Sequence, residues 1–63
     1  MRMVALKEFV EQYGEAVTKT KAARILGISR STVYRMADAE LIRFLKNGKV
    51  SCRSIYDYLY KGD

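Results

Sequence analysis

Thr20-Lys21-Ala22-Ala23-Arg24-Ile25-Leu26-Gly27-Ile28-Ser29-Arg30-Ser31-Thr32-Val33-Tyr34-Arg35-Met36 divides at its only glycine. Before Gly27, a helix capped by Thr18 or Thr20 is predicted to run to about Leu26. After it, Ser29 caps a further helix, roughly Arg30 to Ala37. Gly27 supplies the permissive backbone that a tight turn between the two requires. Ala22 and Ala23 are small enough for two helices to cross closely. Leu26, Ile28, Val33 and Met36 stand where apolar anchors would lock the second helix onto a core.

The second helix has two chemically different sides. Projected at about 100° per residue, Val33, Met36 and Ala37 cluster on one side, and Arg30, Ser31, Tyr34 and Arg35 on the other. Two short helices joined by a glycine-containing turn, the second with a polar outer face, form a helix-turn-helix pattern. The chain's charge falls on the same stretch. Between Ala16 and Ala37 lie five basic residues (Lys19, Lys21, Arg24, Arg30, Arg35) and no acidic one, and elsewhere seven basic residues balance seven acidic ones, so the net +5 is local. A basic patch coinciding with a groove-reading motif points to duplex DNA.

This assigns candidate DNA-binding residues. On the outer face, Arg30 and Arg35 suit bidentate contacts to guanine, Ser31 suits base edges or a phosphate, and Tyr34 suits a phosphate or the thymine methyl. Arg30 lies in a first helical turn, where the macrodipole disfavours a cation, a small cost that contact with an anion offsets. Thr20 and Lys21 open the preceding helix, whose N-terminus suits phosphate, and Lys19, Lys21 and Arg24 are placed to lie along one DNA strand.

Outside this stretch, Leu6, Phe9, Val10 and Tyr13 fall at i, i+3, i+4 and i+7 and predict a first helix closed by Gly14. Glu15-Ala16-Val17 reads as a connector. Leu41–Lys46 and Lys49–Arg53 flank Asn47-Gly48, which predicts a β-hairpin with a two-residue type I′ turn. That turn would pair Leu45 with Val50 and Arg43 with Cys52 on one face, and Phe44 with Ser51 on the other. Lys46 and Lys49 then flank a wing tip able to touch the DNA backbone. Ser54-Ile55-Tyr56-Asp57 fits a capping box and favours a short C-terminal helix, against a strand reading in which Tyr56, Tyr58 and Tyr60 alternate. The tail tyrosines serve either the core or a dimer contact. Arg2 to Ala5 reads as a short edge strand or as irregular chain. The expected fold is therefore α+β, a three-helix helix-turn-helix core followed by a β-hairpin, with residues 1–63 forming one DNA-binding domain.

Composition narrows the function classes. A chain of 63 residues buries only about 60% of its unfolded surface, so its stability is marginal and dimerisation is one way to add buried area. No apolar run approaches the roughly 18 residues of a membrane span. The short apolar start is not followed by a cleavage site, so the expected location is cytoplasmic. With no histidine and only Cys52, there is no adequate zinc ligand set, and imidazole-dependent nucleophile arrangements are excluded. A lone cysteine fits a reducing compartment, and Cys52 reads as a small buried apolar residue. No enzymatic activity, cofactor, membrane or small-molecule ligand is expected.

Leu6-Lys7-Glu8-Phe9, Tyr13-Gly14, Thr18-Lys19-Thr20-Lys21-Ala22-Ala23, Leu26-Gly27-Ile28 and the hairpin with Gly48 resemble the Cro repressors of lambdoid phages, over about residues 3 to 53. The resemblance implies a short N-terminal strand, three helices, a β-hairpin and a homodimer that represses transcription at an inverted-repeat operator in a bacterial host cell. It also places Ser29, Arg30, Ser31, Tyr34 and Arg35 where that family's recognition helix meets DNA. The Cro tail is extended and gives an aromatic side chain to the partner subunit, whereas this tail carries helix signals. The stretch from Ala23 to Arg35, the hairpin, and Arg53 to Leu59 are also similar to winged-helix excisionases of phages and plasmids. That resemblance implies DNA bending in site-specific recombination. A helix preceding the helix-turn-helix favours the Cro likeness.

Overall fold

In a computed structural model, which describes residues 4–60, the first helix α1 (Leu6–Tyr13) sets the floor of the core. The Glu8 carboxylate accepts the Ala5 amide at 3.3 Å, and Gly14, at φ 90, returns its own N–H to the Val10 carbonyl at 2.7 Å. Both ends are thus closed by local bonds that the helix alone leaves unmade. Phe9 is buried, and Leu6, Val10 and Tyr13 pack beside it, so the predicted apolar face is the inner one.

Residues 15–17 are not a plain connector. Ala16–Val17 form a strand, β1, paired antiparallel with β2 (Val50–Ser51) in the register Ala16↔Ser51 and Val17↔Val50. A two-residue strand has no alternation to read, and its partner lies more than thirty residues along the chain. Helices α2 (Lys19–Leu26) and α3 (Arg30–Asp38) follow, with the N-caps Thr18 and Ser29. The edge strand read over Arg2–Ala5 falls partly outside the described residues, and Val4 and Ala5 belong to no strand.

The hairpin is present with a different register. Phe44, not Leu45, faces Val50. The Leu45 N–H donates to the Lys49 carbonyl at 2.7 Å and the Gly48 N–H to the Leu45 carbonyl at 2.9 Å, so Lys46, Asn47 and Gly48 form a three-residue loop. A type I′ turn needs positive φ at both central residues. Gly48 has φ 83, but among the described residues Glu40 is the one non-glycine with positive φ, so Asn47 does not qualify. The Asn47 Oδ1 instead accepts the Lys49 amide at 2.9 Å, an Asx turn that stabilises the longer loop. A slip of one residue exchanges the two faces of a strand. Here it turns Phe44 inward and leaves Leu45 37% exposed.

The tail is helical: α4 spans Cys52–Tyr60. It starts before the expected cap, since the Ser51 hydroxyl accepts the Ser54 amide at 3.3 Å and the Ser54 hydroxyl donates to the Ser51 carbonyl at 2.7 Å. Ser51, the last strand residue, therefore does the capping assigned to Ser54. The architecture is α+β, a helix-turn-helix core with a hairpin whose returning strand is sandwiched between β1 and Phe44.

Helix α1 packs on α4, and Val33, Val50, Cys52 and Ile55 are fully buried in the core. The Phe9 ring meets Tyr56 edge-on at 5.4 Å and Tyr13 at 4.9 Å, and Tyr56 meets Tyr60 at 4.7 Å. The Tyr56 hydroxyl donates to the Val4 carbonyl at 2.7 Å, satisfying the polar end of a buried ring. Tyr56 is thus core, Tyr60 packs against it, and Tyr58 is 39% exposed on the outer side. None of the three lies in an extended arm of the Cro kind.

Candidate nucleic-acid interface

The geometry of the interface follows from how α2 and α3 are anchored. Ala22 and Ala23 are buried where the two helices cross, and Val33 and Met36 pin α3 to the core. Leu26 and Ile28 pack on that core while half-buried. With Val33 and Met36 turned inward, Arg30, Ser31, Tyr34 and Arg35 are all exposed on the opposite side, as the helical projection predicts.

The N-terminus of α3 is built by hydroxyls. The Ser29 Oγ accepts the Thr32 amide at 3.3 Å and lies 3.0 Å from the Ser31 Oγ and 2.9 Å from the Thr32 Oγ1. Ser29 and Ser31 therefore share one small exposed network at the start of the helix. At α2 the Thr18 Oγ1 accepts the Lys21 amide at 3.1 Å. Thr18 thus caps the helix, and Thr20, Lys21 and Arg24 are exposed along it. Lys46 and Lys49 are exposed at the wing. Residues 16–37 and 41–56 together carry nine basic side chains and no acidic one, with Asp38 and Glu40 between them at the far end of α3.

Among the described residues, Lys19 is placed differently from the other lysines. It is half-buried, and its Nζ donates to the Gly48 carbonyl at 2.6 Å. The same ammonium lies 4.9 Å from the Phe44 ring centroid and 5.6 Å from that of Tyr34. The two rings meet edge to face at 5.6 Å and 90°. The fold thus brings together the first residue of α2, the outer face of α3 and the wing. Phe44 and Gly48 had no place among the candidate residues. The register that turns Phe44 inward is a property of the three-residue loop, and no local motif announces it.

A helix presenting Arg, Ser and Tyr outward from a glycine-turn pair, with a basic wing beside it, defines a DNA-binding protein of the helix-turn-helix class. The helix-turn-helix domain family matches residues 17–51, just over half of the chain, from β1 through α2 and α3 to β2. The chain belongs to that family. The match does not separate Cro repressors from excisionases, and no curated protein and no solved structure matches the chain.

Proposed function

We propose that this protein is a sequence-specific transcriptional repressor that inserts α3 into the major groove of duplex DNA and acts as a homodimer on an inverted-repeat operator. The observation that carries the reading is the division of α3, with Val33 and Met36 buried and Arg30, Ser31, Tyr34 and Arg35 exposed. Arg30 and Arg35 supply base readout, and Ser29, Ser31 and Tyr34 contact bases or phosphates. Thr20, Lys21 and the wing lysines Lys46 and Lys49 follow the phosphate backbone. The whole chain acts as one DNA-binding unit in the cytoplasm of a bacterial cell, without catalysis or cofactor. The dimer is inferred from the small size of the chain, which limits the surface a monomer buries, and a two-fold dimer in turn implies a symmetric operator. With Tyr58 and Tyr60 in a helix, its contact differs from the extended-arm exchange of Cro.

The test is selection of sites from random duplex DNA at physiological salt, followed by footprinting. An inverted repeat with half-sites about 34 Å apart is the expected result. For about four phosphates per subunit, log affinity should fall with log salt at a slope of about −7. Phased direct repeats and progressive bending would replace this reading with an excisionase-like one.

A further inference from the structure

We propose that Lys19 is a positioning residue that fixes the wing against the recognition helix, and that its ammonium does not contact the DNA phosphates. The assignment rests on the reading of α3 and the wing as the DNA-binding surface. An ammonium has three donor hydrogens and no acceptor. One of them is committed to the Gly48 carbonyl at 2.6 Å, and the remaining charge sits over Phe44 at 4.9 Å and Tyr34 at 5.6 Å. Lys19 is also the first residue of α2, where the helix dipole opposes a cation. The carbonyl and the two ring faces offset that opposition locally.

The contact links α2, α3 and the tip of the wing. The loop Lys46–Gly48 is exposed, and the wing is otherwise held at its base, where Val50 pairs with Val17 and Phe44, Ser51 pairs with Ala16, and the Arg43 N–H donates to the Ser54 hydroxyl. Lys19 adds the tie at the tip. It reaches across 29 residues of sequence and at the same time touches Tyr34, whose ring is 45% exposed on the outer face of α3. The spacing between the two DNA-facing parts is therefore set before DNA arrives, and a preorganised surface loses less freedom on binding.

The test compares the wild-type chain with Lys19→Met, which keeps the stem but loses charge and donors, and Lys19→Arg, which keeps both. Amide hydrogen exchange in the free protein comes first. In Lys19→Met the Gly48 and Leu45 amides should exchange faster and the Tyr34 ring signals should move, with Val33 and Ile55 unchanged. Lys19→Arg should stay near wild type. On the selected DNA site, Lys19→Met should lose about tenfold in affinity with its salt slope unchanged, and Lys19→Arg should recover most of the loss. Wing amides indifferent to Lys19→Met overturn the proposal. So does a salt slope flattened by about one unit, the mark of a lost phosphate contact. A wild-type protein that binds no DNA, yet whose wing is released by Lys19→Met, leaves the tie standing and removes the repressor reading instead.

Discussion

Gly27 and Glu40 occupy the same position at the ends of two successive helices. At the end of α2, the Gly27 N–H reaches the Arg24 carbonyl at 3.3 Å and the Ile28 N–H the Ala23 carbonyl at 2.9 Å. At the end of α3, the Glu40 N–H reaches the Ala37 carbonyl at 3.0 Å and the Leu41 N–H the Met36 carbonyl at 2.9 Å. Both are Schellman closures, and both place the pivotal residue in the left-handed region, Gly27 at φ 71 and Glu40 at φ 62. Glycine takes that conformation without cost, whereas a residue with a Cβ is strained there by about 1–2 kcal/mol.

Replacing Glu40 by glycine should therefore stabilise the protein by up to about 1 kcal/mol, the strain relieved less the cost of a more flexible unfolded chain. It also removes an anion from the negative end of the α3 dipole. In urea unfolding, the midpoint should rise with the m-value unchanged. The reverse change at the other helix, Gly27→Ala, should destabilise by about 1 kcal/mol. A Cβ at Gly27 would meet nothing within 4 Å, so that loss is backbone strain and not a clash. Equal stabilities for wild type and Glu40→Gly would mean that the Glu40 side chain makes a contribution that offsets its strain.

Tyr56→Phe isolates one buried hydrogen bond. The ring would keep its packing on Phe9 and Tyr60, but the Val4 carbonyl would lose its donor. The expected cost is about 1 kcal/mol, which for a domain of this size lowers Tm by about 4–8 °C. A melting curve superimposable on wild type would show that water replaces the hydroxyl at Val4.

Cys52 couples stability to alkaline pH. Burial pushes its thiol above the ordinary range, because the interior disfavours the thiolate. A group whose pKa is raised on folding holds its proton more tightly in the native state. Stability is then flat below the unfolded value, about 8.5, and falls as pH rises above it towards the folded value. Urea midpoints measured from pH 7 to 10 should decline more steeply for wild type than for Cys52→Ala. Parallel declines would assign the alkaline loss to other groups.

The helices were legible because their signals are local. Thr18, Ser29, Gly14 and Gly27 act within one turn of where they stand, and the spacing of Phe9, Val33 and Met36 gives the inner faces directly. Strand β1 was not legible, since its two residues are a strand only through Val50 and Ser51. The hairpin was legible as a hairpin but not in register. Asn47-Gly48 suits both a two-residue and a three-residue loop, and the inward packing of Phe44 goes with the longer one. The outer face of α3 followed from periodicity. The tie between Lys19 and Gly48 depends on that register, so Lys19 looked like any other basic residue of the patch.

Base reading and backbone attraction are separable in variants of α3 and α2. Arg30 and Arg35 lie on the exposed face of α3, and Lys21 lies exposed near the start of α2. If α3 enters the major groove, Arg30→Ala or Arg35→Ala should cost about 1–3 kcal/mol on the selected site and relax the preference at one or two base positions. Lys21→Ala should weaken every sequence alike and flatten the salt slope by about one unit. The measurement is a binding isotherm for each variant on the selected site and on single-base variants of it, repeated at two salt concentrations. Uniform weakening by an arginine variant would make that arginine a phosphate contact. A changed base preference in Lys21→Ala would instead put the N-terminus of α2 in the groove, and the roles of the two helices would have to be exchanged.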